Sequence, residues 1–207
     1  MTARQRPQRE GLIHPQPRPD TALLIIDMIS QWDFPDAAAL LRQAAKIAAP
    51  IAQLRRRMAR AGVPVVYVND NCGHWRSDFR HVVQLSLAGP GARITGQLTP
   101  EKDDYFVLKP KHSAFFATPL ELLLDHLGTR RLVLVGMTSD QCIAHTAADA
   151  RVRDFEVVVP RDCVATLTAA RQRRALAHLA EALEVATPLS TGTRARGAKQ
   201  QAGAAGH

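Results

Sequence analysis

Apolar runs of strand length recur along this chain, and segments with helical spacing separate them. The first run, Thr21-Ala-Leu-Leu-Ile-Ile26, is continuously apolar rather than alternating, as suits a parallel strand covered on both faces. Further runs lie at Val63–Val68, Tyr105–Leu108, Arg131–Val135 and Phe155–Val159, with a short sixth at Val185-Ala186-Thr187. Residues 36 to about 60 read as a helix that Asp36 can cap, Pro50 should kink or divide, and Gly62 follows. Thr118-Pro119-Leu120-Glu121 reads as an N-cap, a first-turn proline and a capping-box acid, with Gly128 closing that helix. A helix rich in alanine follows Cys142, and a last one sets Leu176, Leu179 and Leu183 on one face. Such alternation predicts an α/β fold: a three-layer α-β-α sandwich around a mostly parallel, doubly wound sheet of about six strands. The segment from about 71 to 104 reads as a long irregular insertion with a helix start at Pro100-Glu101, and loops of that length are often functional lids.

At 207 residues the chain suits one domain. Residues 20–190 read as that domain, residues 1–19 as a disordered basic N-terminal tail and residues 191–207 as a disordered C-terminal tail. The net charge of +8 raises the question of nucleic acid. Each tail holds +3, leaving +2 for the interior, so the charge sits on segments rich in Pro, Gln, Gly and Ala and no nucleic-acid partner is expected. No apolar run approaches the roughly 20 residues that span a bilayer, and the N-terminus lacks a signal-peptide core. The expectation is a cytoplasmic protein without a membrane partner. Cys72, Cys142 and Cys163 show no paired-ligand spacing, which disfavours a disulfide scaffold or zinc ribbon.

In an open parallel sheet, ligands bind beyond the carboxyl ends of the strands. Asp27, Lys109 and Cys142 each fall at such an end. Cys142 follows a strand and a small polar turn and opens a helix, where unpaired N–H groups and partial positive charge favour a thiolate. A free cysteine is more commonly a buried small hydrophobe, and position alone leaves the two readings level. The convergence of carboxylate, ammonium and thiol favours chemistry: a sulfur nucleophile, an acid that relays its proton, and a cation that holds both anions. His112 and His145 compete for the role of base, but neither lies at a strand end.

The motifs Ile25-Ile26-Asp27-Met28, Lys109-Pro-Lys-His-Ser-Ala-Phe115 and Gly136-Met-Thr-Ser-Asp-Gln-Cys142, followed by Thr146-Ala-Ala-Asp-Ala150, resemble those of the isochorismatase-like cysteine hydrolases. The resemblance covers roughly residues 20–188. It implies that family's fold, a triad of Asp27, Lys109 and Cys142, and a cis peptide between Met137 and Thr138. The N–H groups of Thr138 and Cys142 would form the oxyanion hole. Ser139 replaces the more usual threonine. True isochorismatases lack the cysteine, so Cys142 implies hydrolysis of an amide, ureide or carbamoyl bond of a small molecule through a thioester.

Related nicotinamidases bind metal through an Asp-x-His pair with a further histidine. Here Asp70, Cys72, His74 and His81 do not match that spacing, so neither a metal nor another cofactor is expected, and Asn69 and Asp70 read as loop residues bonded to backbone. Gln31, Phe34, Asn69, Trp75, His112, Phe115 and His145 are the candidate pocket residues. The resemblance further implies a homo-oligomer, dimer or tetramer. The alternatives are a catalytically silent ligand-binding protein on the same fold, or a redox sensor if Cys163 can reach Cys142.

Overall fold

The computed structural model describes residues 19–71, 73 and 78–196. Five of the apolar runs form strands: β1 (Thr21–Ile26), β2 (Val65–Asp70), β3 (Tyr105–Lys109), β4 (Arg131–Met137) and β5 (Glu156–Val158). They stand in the order β3-β2-β1-β4-β5, all pairings parallel. The sixth strand, β6 (Val164–Ala165), pairs with β4. The expected strand at residues 185–187 is reduced to a single bridge between Val158 and Ala186. Gly136 and Met137 of β4 extend beyond β5 and are taken up by β6 instead.

Helices cover both faces. On one lie α1 (Ala37–Arg60), α2 (Phe79–Ala88) and α3 (Ala92–Gln97), packed over Leu23, Ile25, Val65, Tyr67, Val133 and Val135. On the other lie α4 (Leu120–His126), α5 (Cys142–Val152) and α6 (Ala169–Glu181), over Leu24, Ile26, Val66, Val68, Leu132 and Leu134. Successive residues of β1, β2 and β4 thus feed opposite cores, which is why their sequences are continuously apolar.

Several local expectations change on folding. Helix α1 continues through Pro50 and is not divided. Asp36 occupies its N-cap in the left-handed region, at φ 65°, and makes no side-chain cap bond. Thr118 accepts from Leu120 N–H at 3.2 Å, but Glu121 does not complete a capping box, because it accepts from Arg153 at 2.9 Å. The span from 71 to 104 is no structureless insertion: it contains α2 and α3. No helix starts at Pro100-Glu101. There, Glu101 and Asp104 bind the guanidinium of Arg55 at 2.6 and 2.5 Å.

Residues 191–196, read from sequence as tail, lie against the body. Arg131 donates to Arg194 O at 2.8 Å, Arg196 pairs with Glu156, and Ala195 packs on the α1-side core. Residues 1–18 and 197–207 lie outside the described residues. Among the described residues no helix is long and apolar enough to cross a membrane.

Candidate active site

Strand order creates the site. The chain leaves β1 toward β2 on one side, and β4 returns on the other, so a crevice opens between the carboxyl ends of β1 and β4. Asp27 follows β1, and Cys142 opens α5 after the β4 turn. These two ends approach very closely. A Cβ on Gly136 would lie 2.0 Å from Ile26 O, and the residue's φ is 115°, so only glycine fits. The peptide bond between Met137 and Thr138, immediately after it, is cis.

Lys109 ends β3, two strands away from β1. The gap is about 9.6 Å, twice the interstrand spacing, and the long lysine stem beneath the end of β2 closes it. Its Nζ reaches Asp27 at 2.9 Å and Asp70 at 3.6 Å, and donates to Cys142 Sγ at 3.6 Å. Lys109 is fully buried. Burial opposes its charge, but Asp27, the sulfur and Asp70 outweigh that effect and hold it protonated well above the usual lysine range. Asp27 adopts φ 52° and accepts Asp70 N–H at 2.8 Å.

The surroundings of the sulfur oppose the pull of the helix end. Burial pushes the Cys142 thiol up to about 12, and the Asp27 carboxylate beside it pushes the same way. Lys109 and the N–H of Thr138 oppose this without prevailing, because the one ammonium is already shared between two carboxylates. Burial and the carboxylate thus both favour the thiol over the thiolate.

The turn before Cys142 is held from α6 and β6. Ser139 donates through Oγ to Gln172 Oε1 at 2.7 Å and through its backbone to Ala165 O at 3.0 Å. Asp140 accepts from Thr166 at 2.7 Å and from Arg171 at 2.6 Å. Burial works against the Asp140 charge, yet those two bonds keep its carboxyl below the usual range. The N–H of Thr138 favours the sulfur's anion, and that of Cys142, in the first helical turn, has no intrahelical acceptor.

Above Asp27, Lys109 and Cys142 lies a cleft of about 610 Å³. Of the expected pocket residues, Gln31, Phe34, Asn69 and His112 line it, as do Met137 and Thr138. Asn69 is buried and donates to Ile29 O at 2.5 Å. His112 Nδ1 lies 3.9 Å from the sulfur. His145 stands behind it, with ring centroids 5.3 Å apart and its Nδ1 2.8 Å from Gln141 O. Phe115 is not a wall of the cleft: it is buried in the α5-side core against Phe155, under the guanidinium of Arg153. Trp75, Cys72 and His74 lie outside the described residues.

Sequence reasoning missed Trp32, Asp33 and Gln141 as lining residues and took Asp70 only as a loop residue or metal ligand. The strand-end rule that found Asp27 and Lys109 also selects Asp70. Cys163 is buried in the α1-side core, while Cys142 packs against the α5-side core. The two thiols therefore face opposite sides of the sheet, which is unfavourable to a disulfide.

An isochorismatase domain model matches residues 21–192. The chain is 35% identical over 147 residues to the uncharacterized isochorismatase family protein YaaI of Bacillus subtilis, covering 71% of this chain and 81% of that protein. It is 30% identical over 161 residues to a "probable inactive nicotinamidase" of Arabidopsis thaliana, covering 72% and 82%. The N-carbamoylsarcosine amidase of Thermoplasma acidophilum superposes with a TM-score of 0.65 at 25% identity, over 84% of this chain and 98% of that one. The matched domain and these relatives show that the chain belongs to the isochorismatase family of hydrolases.

Proposed function

We propose that this protein hydrolyses a C–N bond (amide, ureide or carbamoyl) of a small molecule through a thioester on Cys142. The observation that carries the reading is the buried Lys109 ammonium, bonded at once to Asp27 and to the Cys142 sulfur on the floor of a substrate-sized cleft. A ligand-binding module has no need of that arrangement. An amidase among the structural relatives supports the bond type.

In this mechanism Asp27 accepts the thiol proton as the sulfur attacks the carbonyl carbon. The negative charge that develops on oxygen is received by the N–H groups of Thr138 and Cys142, where losing one donor typically costs about 10²–10³ in rate. Asp27 then passes its proton to the departing nitrogen as the C–N bond breaks, and ammonia or an amine leaves. Water adds to the thioester, giving its proton to Asp27. Collapse releases the carboxylic or carbamic acid, and the sulfur recovers the proton. Lys109 keeps its charge throughout and stabilises Asp27 as an anion.

Ammonia release from a panel of amides and ureides, with rapid acid quench and intact mass measurement, tests the reading. The expected result is turnover accompanied by an acyl adduct mapped to Cys142, both absent in Cys142→Ala with its circular dichroism unchanged. Substantial residual turnover in that variant would overturn the nucleophile's role. The relative described as inactive gives weight to a second reading, a silent ligand-binding protein, which would bind compounds from the panel and never form an adduct. We propose a homo-oligomeric assembly, which light scattering at several concentrations tests.

A further inference from the structure

The charge lining the cleft is one-sided. Among the described residues its walls present three carboxylates, Asp27, Asp33 and Asp70, and no lysine or arginine. Lys109 is buried beneath the floor and ion-paired with two of the three. Asp33, exposed on the wall, makes no ion pair among the described residues. A concave, partly desolvated site with that balance focuses negative potential and concentrates cations.

The wall beside Asp33 adds a second feature of the same kind. Trp32 and Phe34 flank it in sequence, and their rings stand 6.0 Å apart, tilted by 34°. Phe34 is exposed into the cleft opening. Trp32 is held in the left-handed region at φ 59°, with its indole seated against Gly91, where a Cβ would meet Nε1 at 2.2 Å. Trp32 is therefore fixed in place by the α2–α3 turn. An exposed aromatic face, Phe34, beside an exposed carboxylate, Asp33, favours an organic cation through the ring quadrupole and the charge together.

We propose that the substrate carries a positive charge: its scissile carbonyl meets Cys142, and an ammonium group elsewhere in the molecule lies against Trp32, Asp33 and Phe34. This rests on the C–N hydrolase reading and narrows its substrate class.

The test needs no knowledge of the natural substrate. Two methanethiosulfonates of similar size, one bearing a trimethylammonium and one a sulfonate, are reacted with the full-length protein at low salt. Rates at Cys142 are read by peptide mass mapping and divided by each reagent's rate with 2-mercaptoethanol. The expected result is a preference of about 10-fold or more for the cation. It should shrink in high salt and fall by about 2- to 30-fold in Asp33→Asn and in Phe34→Ala. Equal or reversed rates, no reaction with either reagent, or an unchanged preference in both variants would overturn the proposal.

Ammonia release is then compared for 3-(trimethylammonio)propanamide, its uncharged isostere 4,4-dimethylpentanamide, and succinamate. Fastest release from the cation supports both readings. Fastest release from succinamate would leave the hydrolase standing and overturn the charge assignment. A cation preference at Cys142 with no ammonia from any amide would retain the cation site and overturn the hydrolase.

Discussion

Replacing Asp27 by asparagine should make Cys142 more reactive to alkylation while abolishing turnover, two effects in opposite directions from one substitution. With the thiol pushed up by burial and by Asp27, far fewer sulfurs are thiolate at pH 8 than the roughly one in ten of an ordinary cysteine. At an effective dielectric of about 20, a unit charge at a contact distance of about 4 Å opposes a thiolate by about 4 kcal/mol, or some three decades of thiolate fraction, which sets the scale for Asp27. Burial, the largest contribution, remains in the variant. Thiolates of lower pKa are also weaker nucleophiles, by about half a decade per decade. The net expectation is alkylation at pH 8 about 10- to 50-fold faster than wild type, with turnover down by about 10²–10⁴ for want of the proton relay. Lys109→Met should act in the opposite sense, slowing alkylation further by removing the cation that opposes the shift. Iodoacetamide rates from pH 6 to 10, read by peptide mapping, decide the matter. Asp27→Asn alkylating no faster than wild type, or a wild-type Cys142 titrating below an ordinary thiol, would refute a neutral resting thiol held by Asp27.

Arg171→Ala removes the brace on Asp140, two residues before the nucleophile, and should lower kcat by about 10- to 100-fold with little change in KM; an unchanged kcat would show that the turn holds its shape unaided. Gly136→Ala drives a methyl group into Ile26 O at a positive φ and should cost about 3 kcal/mol or more, visible as a collapse of the urea midpoint. Arg55→Ala strands Asp104, whose side chain is 9% exposed, and should cost about 3 kcal/mol near neutral pH. The hydrogen bond from Arg55 holds the Glu101 carboxyl below its ordinary 4.5. That contribution is present above the ordinary value and is lost as pH falls through the lowered one. Melting curves of wild type and Arg55→Ala should therefore draw together on acidification, and a constant gap down to pH 2 would refute the linkage.

The sequence by itself determined the layer architecture and the three residues that meet. Continuous apolar runs mark strands buried on both faces, because each successive side chain enters a different core. Residues at the ends of such strands share one edge of the sheet, so Asp27, Lys109 and Cys142 were legible together. What it misjudged followed from partners distant in sequence. Glu121 left its own helix cap for Arg153, Glu101 and Asp104 turned to Arg55 instead of starting a helix, and Phe115 found Phe155. The acceptance of Pro50 within α1 and the pairing of β6 in place of 185–187 likewise depended on the packed sheet. The surroundings of the Cys142 sulfur were the most consequential feature left to tertiary structure. A helix N-terminus favours a thiolate, and that much is local. How far the sulfur is withdrawn from water, and that its one neighbouring ammonium is divided between Asp27 and Asp70, are set by strand order, and both oppose the thiolate that the helix end favours.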